Sequence, residues 1–444
     1  MARSPFLSPQ REPHRRRRAR VALPAAVAAV ALLLAGCGDG DDESAEDGNV
    51  TLRFSWWGSD ARHTATQKVI DLYESKNPGV KIEGDYVAWG DYWDRLATSV
   101  AGDNAPDVIQ MESRYVREYA DRGALADLSP FLGDTIKNAD LDPSVAKIGE
   151  VDGKTYAIPT GVNIYAVVAN PNVLQAAKVT PPDDETWSWE DLLATAAQVT
   201  KSSPKGTYGL QDMGYVDAGL EIFARQKGES IYGSDGRLAV SDATLKEWWT
   251  LITRSRDTGA EPPASVSVEV QNGGIDQSLT ATGKGAFGTW WTNELPALTE
   301  GSKADLSLLR FPGESASAGM FLKPAMFYSV GRRSEHQEEA AKFVDFLLND
   351  PEAAKIILSD RGLPVNLKNR EAITPRLEAP DQKSAAFVRE VGAGLGSPPP
   401  LPPKGAGEVN DIIQQVNEQV LFNRITVDQA VQQFRSQAES AISG

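Results

Sequence analysis

From residue 50 onward, short apolar runs alternate with stretches whose apolar residues recur every three to four positions. That alternation restricts the chain to a mainly parallel sheet wrapped by helices, an α/β architecture. The stretch 52–60, Leu52-Arg53-Phe54-Ser55-Trp56-Trp57-Gly58-Ser59-Asp60, opens the series. It reads as a buried strand entering a glycine turn. A helix follows, with Ala61, Ala65, Val69, Leu72 and Tyr73 near one face. In a parallel sheet, the end of a strand and the start of its helix border the crevice where ligands sit. Ser59 and Asp60 equally suit a helix cap. Trp56 and Trp57 are adjacent in a strand, so they face opposite sides. One belongs in the core and the other is free to line a crevice.

The pattern continues with expected strands at 80–86, 108–112, 154–159, 162–170, 285–291, 306–312 and 326–330. Ser188 with Asp191 and Ser334 with Gln337 have capping-box spacing, each ahead of an amphipathic helix. Two strongly amphipathic helices end the chain, one through Val409, Ile413 and Val420 and the other through Val427, Val431 and Phe434. The proline-rich run 397–403 reads as an extended connector. A chain of 444 residues is long for one core and implies two or more lobes.

The first 49 residues are of another kind. An arginine cluster at 15–20 precedes an apolar run, 21–34, that ends in Leu34-Ala35-Gly36-Cys37. This reads as a secretory signal, residues 1–36, too short and wrongly flanked for a spanning helix. Cys37 is the single cysteine, which rules out a disulfide within one chain. Its position after Leu-Ala-Gly resembles a bacterial lipoprotein signal, in which this cysteine becomes the lipidated first residue. The resemblance implies an extracytoplasmic protein anchored to the cell membrane. Whether export is general or twin-arginine is left open. Residues 37–49 are acidic and lack large apolar side chains, so they read as a solvated tether. Removal of the signal takes away seven arginines and one glutamate. The remainder carries 38 Lys+Arg against 60 Asp+Glu, a net charge of −22. Such a surface repels nucleic acid.

Candidate chemistry is sparse. Beyond the signal only His63 and His336 remain, so histidine and cysteine cannot assemble a metal site, and no cofactor fingerprint appears. Serine nucleophiles would have only His63 as a base. Tryptophans are the stronger signal. Trp93, Trp248 and Trp249 fall on apolar helical faces and belong to the core; Trp189 reads as a packing staple. Trp56, Trp57, Trp89, Trp187, Trp290 and Trp291 remain, most of them where a strand gives way to a loop. An indole face matches the CH-rich face of a pyranose, and Asp, Asn, Glu and Arg match its hydroxyls.

Several short motifs recur in a fixed order: Trp56-Trp57-Gly58, Asn77-Pro78-Gly79, Ala105-Pro106-Asp107-Val108, Gly153-Lys154-Thr155-Tyr156-Ala157-Ile158-Pro159, Gly283-Lys284-Gly285-Ala286-Phe287, and Ala340-Ala341-Lys342-Phe343-Val344. Together they resemble the extracellular solute-binding lipoproteins of carbohydrate ABC importers, the class containing maltose-binding protein. The opening stretch is most similar to members taking oligosaccharides, including oligogalacturonides. The resemblance implies a two-lobe α/β fold with a hinge and a ligand cleft between the lobes, acting as a monomer with an ABC permease. It implies a first lobe of 50–160 plus 306–333 and a second of 161–305 plus 334–444. Ligand positions carried over are Trp57, Ser59, Asp60, Arg62, Trp89 and Glu112 in the first lobe and Asn163, Tyr165, Tyr215, Trp290 and Trp291 beyond it. Asn163 stands where maltose binders carry an acid. Asp107 reads as a structural turn residue. Competing readings are an anchored glycosidase or lyase, which would need a carboxylate acid/base pair, and a binder of a peptide, polyamine or phosphate ester. An anionic ligand would want Arg62 and Arg114 pointing inward.

Overall fold

The computed structural model describes residues 50–313, 319–392 and 394–443. The expected signal segment 1–36, Cys37 and the tether 37–49 lie outside the described residues. Strand and helix alternate from the start as β1 (Val50–Trp57), α1 (Asp60–Lys76), β2 (Val80–Val87), α2 (Trp89–Ala101), β3 (Val108–Met111) and α3 (Ser113–Asp121). β1 runs parallel to β2 over its whole length and parallel to β3 at Phe54 and Ser55. The expected parallel pattern ends there. The strand Phe327–Val330 lies antiparallel to β3, and the short strand Ile158–Pro159 closes that edge, also antiparallel to Phe327–Val330. Neither is delivered by a crossover helix inside this sheet, so neither is bound to the parallel direction.

Ser59 caps α1 by accepting from the Arg62 backbone N–H at 3.5 Å, a long bond at an exposed end. The helix buries Thr66, Val69, Ile70 and Tyr73, and Ala61 stays exposed. The buried stripe is therefore rotated from the expected one, because α1 packs against the helices Gln337–Asn349 and Pro351–Ile357 as well as its own sheet.

The second sheet is centred on the strand Gly161–Ala169, buried at all nine positions. It runs antiparallel to Ser307–Leu309 on one side and Gly285–Trp291 on the other, and Tyr208–Leu210 extends the sheet in parallel to the latter. Such burial on both faces explains the nearly unbroken apolar sequence of this strand. Its beginning also pairs with Leu322–Pro324 and Leu363–Pro364.

These pairings redraw the expected lobe boundaries. Ser307–Leu309, expected in the first lobe, belongs to the second sheet through Val167–Ala169. The helix Gln337–Asn349, expected in the second lobe, packs on the first sheet. Phe343 meets Phe54 edge-on at 5.6 Å and Tyr73 at 4.8 Å. The chain changes sheet between Leu322–Pro324 and Phe327–Val330, and the next two helices, Gln337–Asn349 and Pro351–Ile357, lie beside β1 and α1. The Ser188–Asp191 capping box forms. The Ser334–Gln337 box does not. Ser334 Oγ donates to Asp107 Oδ1 at 2.5 Å, and the Gln337 amide donates to the Arg332 carbonyl at 2.7 Å. Asp107 also accepts from the Arg53 backbone N–H at 2.8 Å, which makes it the turn residue that pins β1 to this loop.

The chain also crosses between sheets at Thr160, whose hydroxyl donates to the carbonyls of Met326 (3.3 Å) and Arg361 (3.1 Å). Three chain segments are thereby tied at one point. Next to it, a Cβ on Gly161 would sit 2.5 Å from the Arg361 carbonyl oxygen and 2.7 Å from that of Leu363, so only glycine permits this approach. One apolar cluster runs from Leu52 and Phe54 through Val162 and Ile164 to Leu192 and Phe434. A second gathers Trp57, Tyr92, Ile109 and Phe327, and Leu401 of the proline-rich connector joins it.

Candidate ligand-binding cleft

A cavity of about 230 Å³ opens where the two sheets meet. Arg114 from the first turn of α3 lines it from the first sheet's side. Trp291, at the end of its strand, and Asp217, at the start of the helix Asp217–Gln226, face it from the second. Lys323 enters from the strand Leu322–Pro324, and residues 399–402 form a further wall.

The charges are tightly organised. Glu112 caps α3 and is buried. Its Oε2 accepts from the Arg114 backbone N–H (2.9 Å) and Nε (3.0 Å), and its Oε1 accepts from Ser113 Oγ (2.8 Å) and Lys323 Nζ (3.4 Å). Burial by itself would raise the carboxyl's pKa. Lys323 and Arg114, with the hydrogen bonds, outweigh it and hold the group down to about 2. Lys323 also stands 5.0 Å over the Trp291 ring. On the opposite side Glu221 is buried, and its pKa is raised chiefly by that burial. Its oxygens accept from Ser230 Oγ (2.7 Å) and the Ile231 N–H (2.8 Å). Asp217 and Glu221 project one turn apart from a single helix, so both lie on one side of the cavity. Glycoside hydrolysis needs carboxyls flanking the bond from two sides.

Of the expected ligand positions, Trp291 lines the cavity. Glu112 sits behind it, holding the two cations. Trp89 is at the rim: its ring is 40% exposed, rests edge-on against Trp57 at 5.1 Å, and carries the Arg114 guanidinium at 6.0 Å. Asn163 pairs with Lys323 in the crossing strands and is buried beside the cavity. Ser59 and Asp60 are exposed at the start of α1, where the first caps and the second lies in the first turn.

Seven expectations are corrected. Trp57 does face away from Trp56, but both are buried, because α2 brings Tyr92 and Trp93 over the side expected to be open. Arg62 is held within the first lobe. Its Nε donates to Asp360 Oδ2 (2.8 Å), and its terminal nitrogens reach the Asp360 (2.8 Å) and Trp57 (3.2 Å) carbonyls. Tyr165 is 2% exposed, stacked on Phe311 at 5.6 Å, with its hydroxyl 3.0 Å from Thr289 Oγ1. Tyr215, also 2% exposed, lies beside Asp212 and outside the cavity's lining. Trp290 turns from the cavity as well, its Nε1 donating to Thr280 Oγ1 at 3.0 Å. Trp187, one of the six tryptophans set aside for a crevice, is core at 2%. Trp93, expected in the core, is only partly buried and stacks on Tyr115 at 3.6 Å.

The cavity also uses Asp217, Tyr232, Lys323, Asn410 and residues 399–402, none of which the sequence marked as a ligand position. Only the proline run carried a legible signal, and it reads as a connector on composition alone. His63 accepts from Trp56 Nε1 (3.0 Å) and packs its ring against Tyr86 (4.2 Å), a structural use. Away from the cavity, Asp212 and Glu261 form a buried acid pair. Burial pushes Asp212 up to about 6 and Glu261 well above its ordinary value, which drives the pair toward its protonated form. Among the described residues no group of three or more His, Cys, Asp or Glu is placed to hold a metal ion.

The geometry of two sheets around one cavity agrees with the comparisons. The model of the bacterial extracellular solute-binding protein family matches residues 68–380. The diacetylchitobiose binding protein DasA of Streptomyces coelicolor is 26% identical over 402 residues, covering 87% of this chain and 89% of that protein. A lipoprotein encoded in the oleD 5′ region of Streptomyces antibioticus is 27% identical over 357 residues, 76% of this chain and 75% of its own. Among solved structures, the periplasmic oligogalacturonide binding protein of Yersinia enterocolitica superposes with a TM-score of 0.74 at 22% identity, covering 89% of this chain and 99% of the other. That likeness shows the two-lobe solute-binding fold. With its family model spanning most of the described chain, this protein belongs to the bacterial extracellular solute-binding proteins.

Proposed function

We propose that this protein is a binder rather than an enzyme: held to the extracytoplasmic face of the cell membrane by lipid on Cys37, it captures a neutral oligosaccharide between its lobes and presents it to an ABC permease. The observation that carries the reading is the pairing of an indole face, Trp291, with polar groups drawn from both lobes, Arg114 on one side and Asp217 and Asn410 on the other. A sugar bridging them favours the closed form, because only that form offers both sets of contacts. Each hydrogen bond contributes about 0.5–1.5 kcal/mol net, and ring stacking adds about as much, so a few of each reach roughly micromolar affinity. The kinship with DasA supports a saccharide ligand, and the Streptomyces antibioticus lipoprotein supports the anchor. Trp291 is the proposed stacking residue. Arg114, Asp217, Asn410 and Lys323 are the proposed polar contacts, with Trp89 at the rim.

A thermal-shift screen of the purified protein against mono-, di- and oligosaccharides tests this, since a ligand bound only by the folded form raises its melting temperature. Trp291→Ala should abolish the shift for the true ligand while leaving the unliganded melting temperature close to wild type. Retention of the full shift would move the site elsewhere.

A further inference from the structure

We infer that the sugar held in this cleft carries an N-acetyl group, recognised by Asp217, Arg114 and Asn410 together with the proline wall; the inference rests on the saccharide reading above. Three polar ends in the cavity are unspent among the described residues. The Asp217 carboxylate makes no hydrogen bond or ion pair; only its backbone N–H is used, donating to Asn410 Oδ1 at 3.1 Å. That bond fixes the Asn410 amide with Nδ2 left as a donor. Arg114 gives Nε to Glu112 and keeps its terminal nitrogens.

One wall of the cavity is unsuited to a sugar that offers hydroxyls alone. Pro399, Pro400 and Pro402 have no backbone N–H to donate. Ile231 and Phe321, both almost fully buried, continue the same apolar surface. The wall is fixed at both ends: the Ser397 carbonyl accepts from Arg225 Nη2 at 2.7 Å, and Leu401 is buried in the first lobe's cluster with Trp57 and Tyr92. A hydroxyl pressed against such a surface loses water without gaining a partner, whereas a methyl group is stabilised there. An acetamido group supplies all that is missing. Its N–H meets a carboxylate, its carbonyl meets a guanidinium or amide donor, and its methyl meets the prolines.

Charge argues against an acidic sugar in the same place. Arg114 and Lys323 are both paired with Glu112, while Asp217 and Glu221 face them. A uronic acid carboxylate beside Asp217 would meet a like charge, and the nearest cations already answer to Glu112.

Isothermal titration of the purified protein with matched pairs tests the inference: N-acetylglucosamine against glucose, N,N′-diacetylchitobiose against cellobiose, and N-acetyllactosamine against lactose. One buried methyl and one added hydrogen bond predict that the acetamido sugar binds about tenfold or more tightly than its hydroxyl partner in at least one pair. Asp217→Ala, at an unpaired side chain on a helix's first position, should shrink that ratio by weakening the acetamido sugar more than its partner. Equal affinities within every pair that binds would overturn the N-acetyl assignment and leave the saccharide reading standing. Failure of these sugars and of every other saccharide in the screen would overturn both. An undiminished ratio in Asp217→Ala would remove Asp217 from the recognition.

Discussion

Glu112→Gln isolates the electrostatics beneath the cleft, because it keeps the side chain's shape and removes only its charge. In the wild type this carboxylate is 9% exposed and answers to two cations and, besides them, to two hydrogen-bond donors, Ser113 Oγ and the Arg114 backbone N–H. The fall of its pKa from 4.5 to about 2 corresponds to about 3 kcal/mol of preference for the ionised form in the folded state. Lys323 is about one-third exposed, so solvent screens part of that, and about 2 kcal/mol is the expected loss at pH 7. The glutamine also turns an N–H toward donors that previously met oxygen. Because the folded-state pKa is depressed, the stabilisation is fully present above the unfolded-state value near 4.5. It is lost as pH falls through about 2. Urea unfolding followed by tryptophan fluorescence at pH 7, 5, 4 and 3 should therefore show a gap between wild type and variant that is constant down to pH 5 and narrows below it. A variant within about 0.5 kcal/mol of wild type at pH 7 would refute the reasoning, as would a gap that does not narrow in acid.

Two further outcomes are expected. The Asp212–Glu261 pair has raised pKa values, so its contribution is full below the unfolded value near 3.8 and is lost as pH rises through about 6 and beyond. Asp212→Asn keeps an oxygen for the Gly214 N–H and Asn417 amide, and should make the melting temperature between pH 4 and 8 flatter and, at pH 8, equal to or above wild type; an unchanged pH slope would count against the pair. Cys37→Ala should move the exported protein from the membrane fraction to the medium, measured by fractionation and immunoblot, and continued membrane association would contradict the lipid anchor.

Local pattern settled which segments are strands and helices at the start of the chain, the Ser188–Asp191 cap, the turn role of Asp107 and the two closing helices. Those features depend on residues within one or two turns of each other, where periodicity and hydrogen-bonding capacity suffice. The ligand positions were less legible. Trp291 sits at a strand end and lines the cleft, but Trp187 occupies an equally irregular stretch and is core. Tyr165 lies in a crossing strand and still points into packed rings. No local signal separates them.

The sequence alone determined the family, the two-lobe α/β plan and the chemistry available, because these follow from the order and type of residues along the chain. Only the tertiary structure decided which side chains face the cleft, that Glu112 serves as the hub of two cations, and that a proline run read as a mere connector walls the site. Asp217, Lys323 and residues 399–402 are far apart in sequence, and each becomes part of one cavity only when the crossing segments at Thr160 and Ala325 bring the sheets together. Contact between distant segments is set by packing, and packing has no period that a single chain can display.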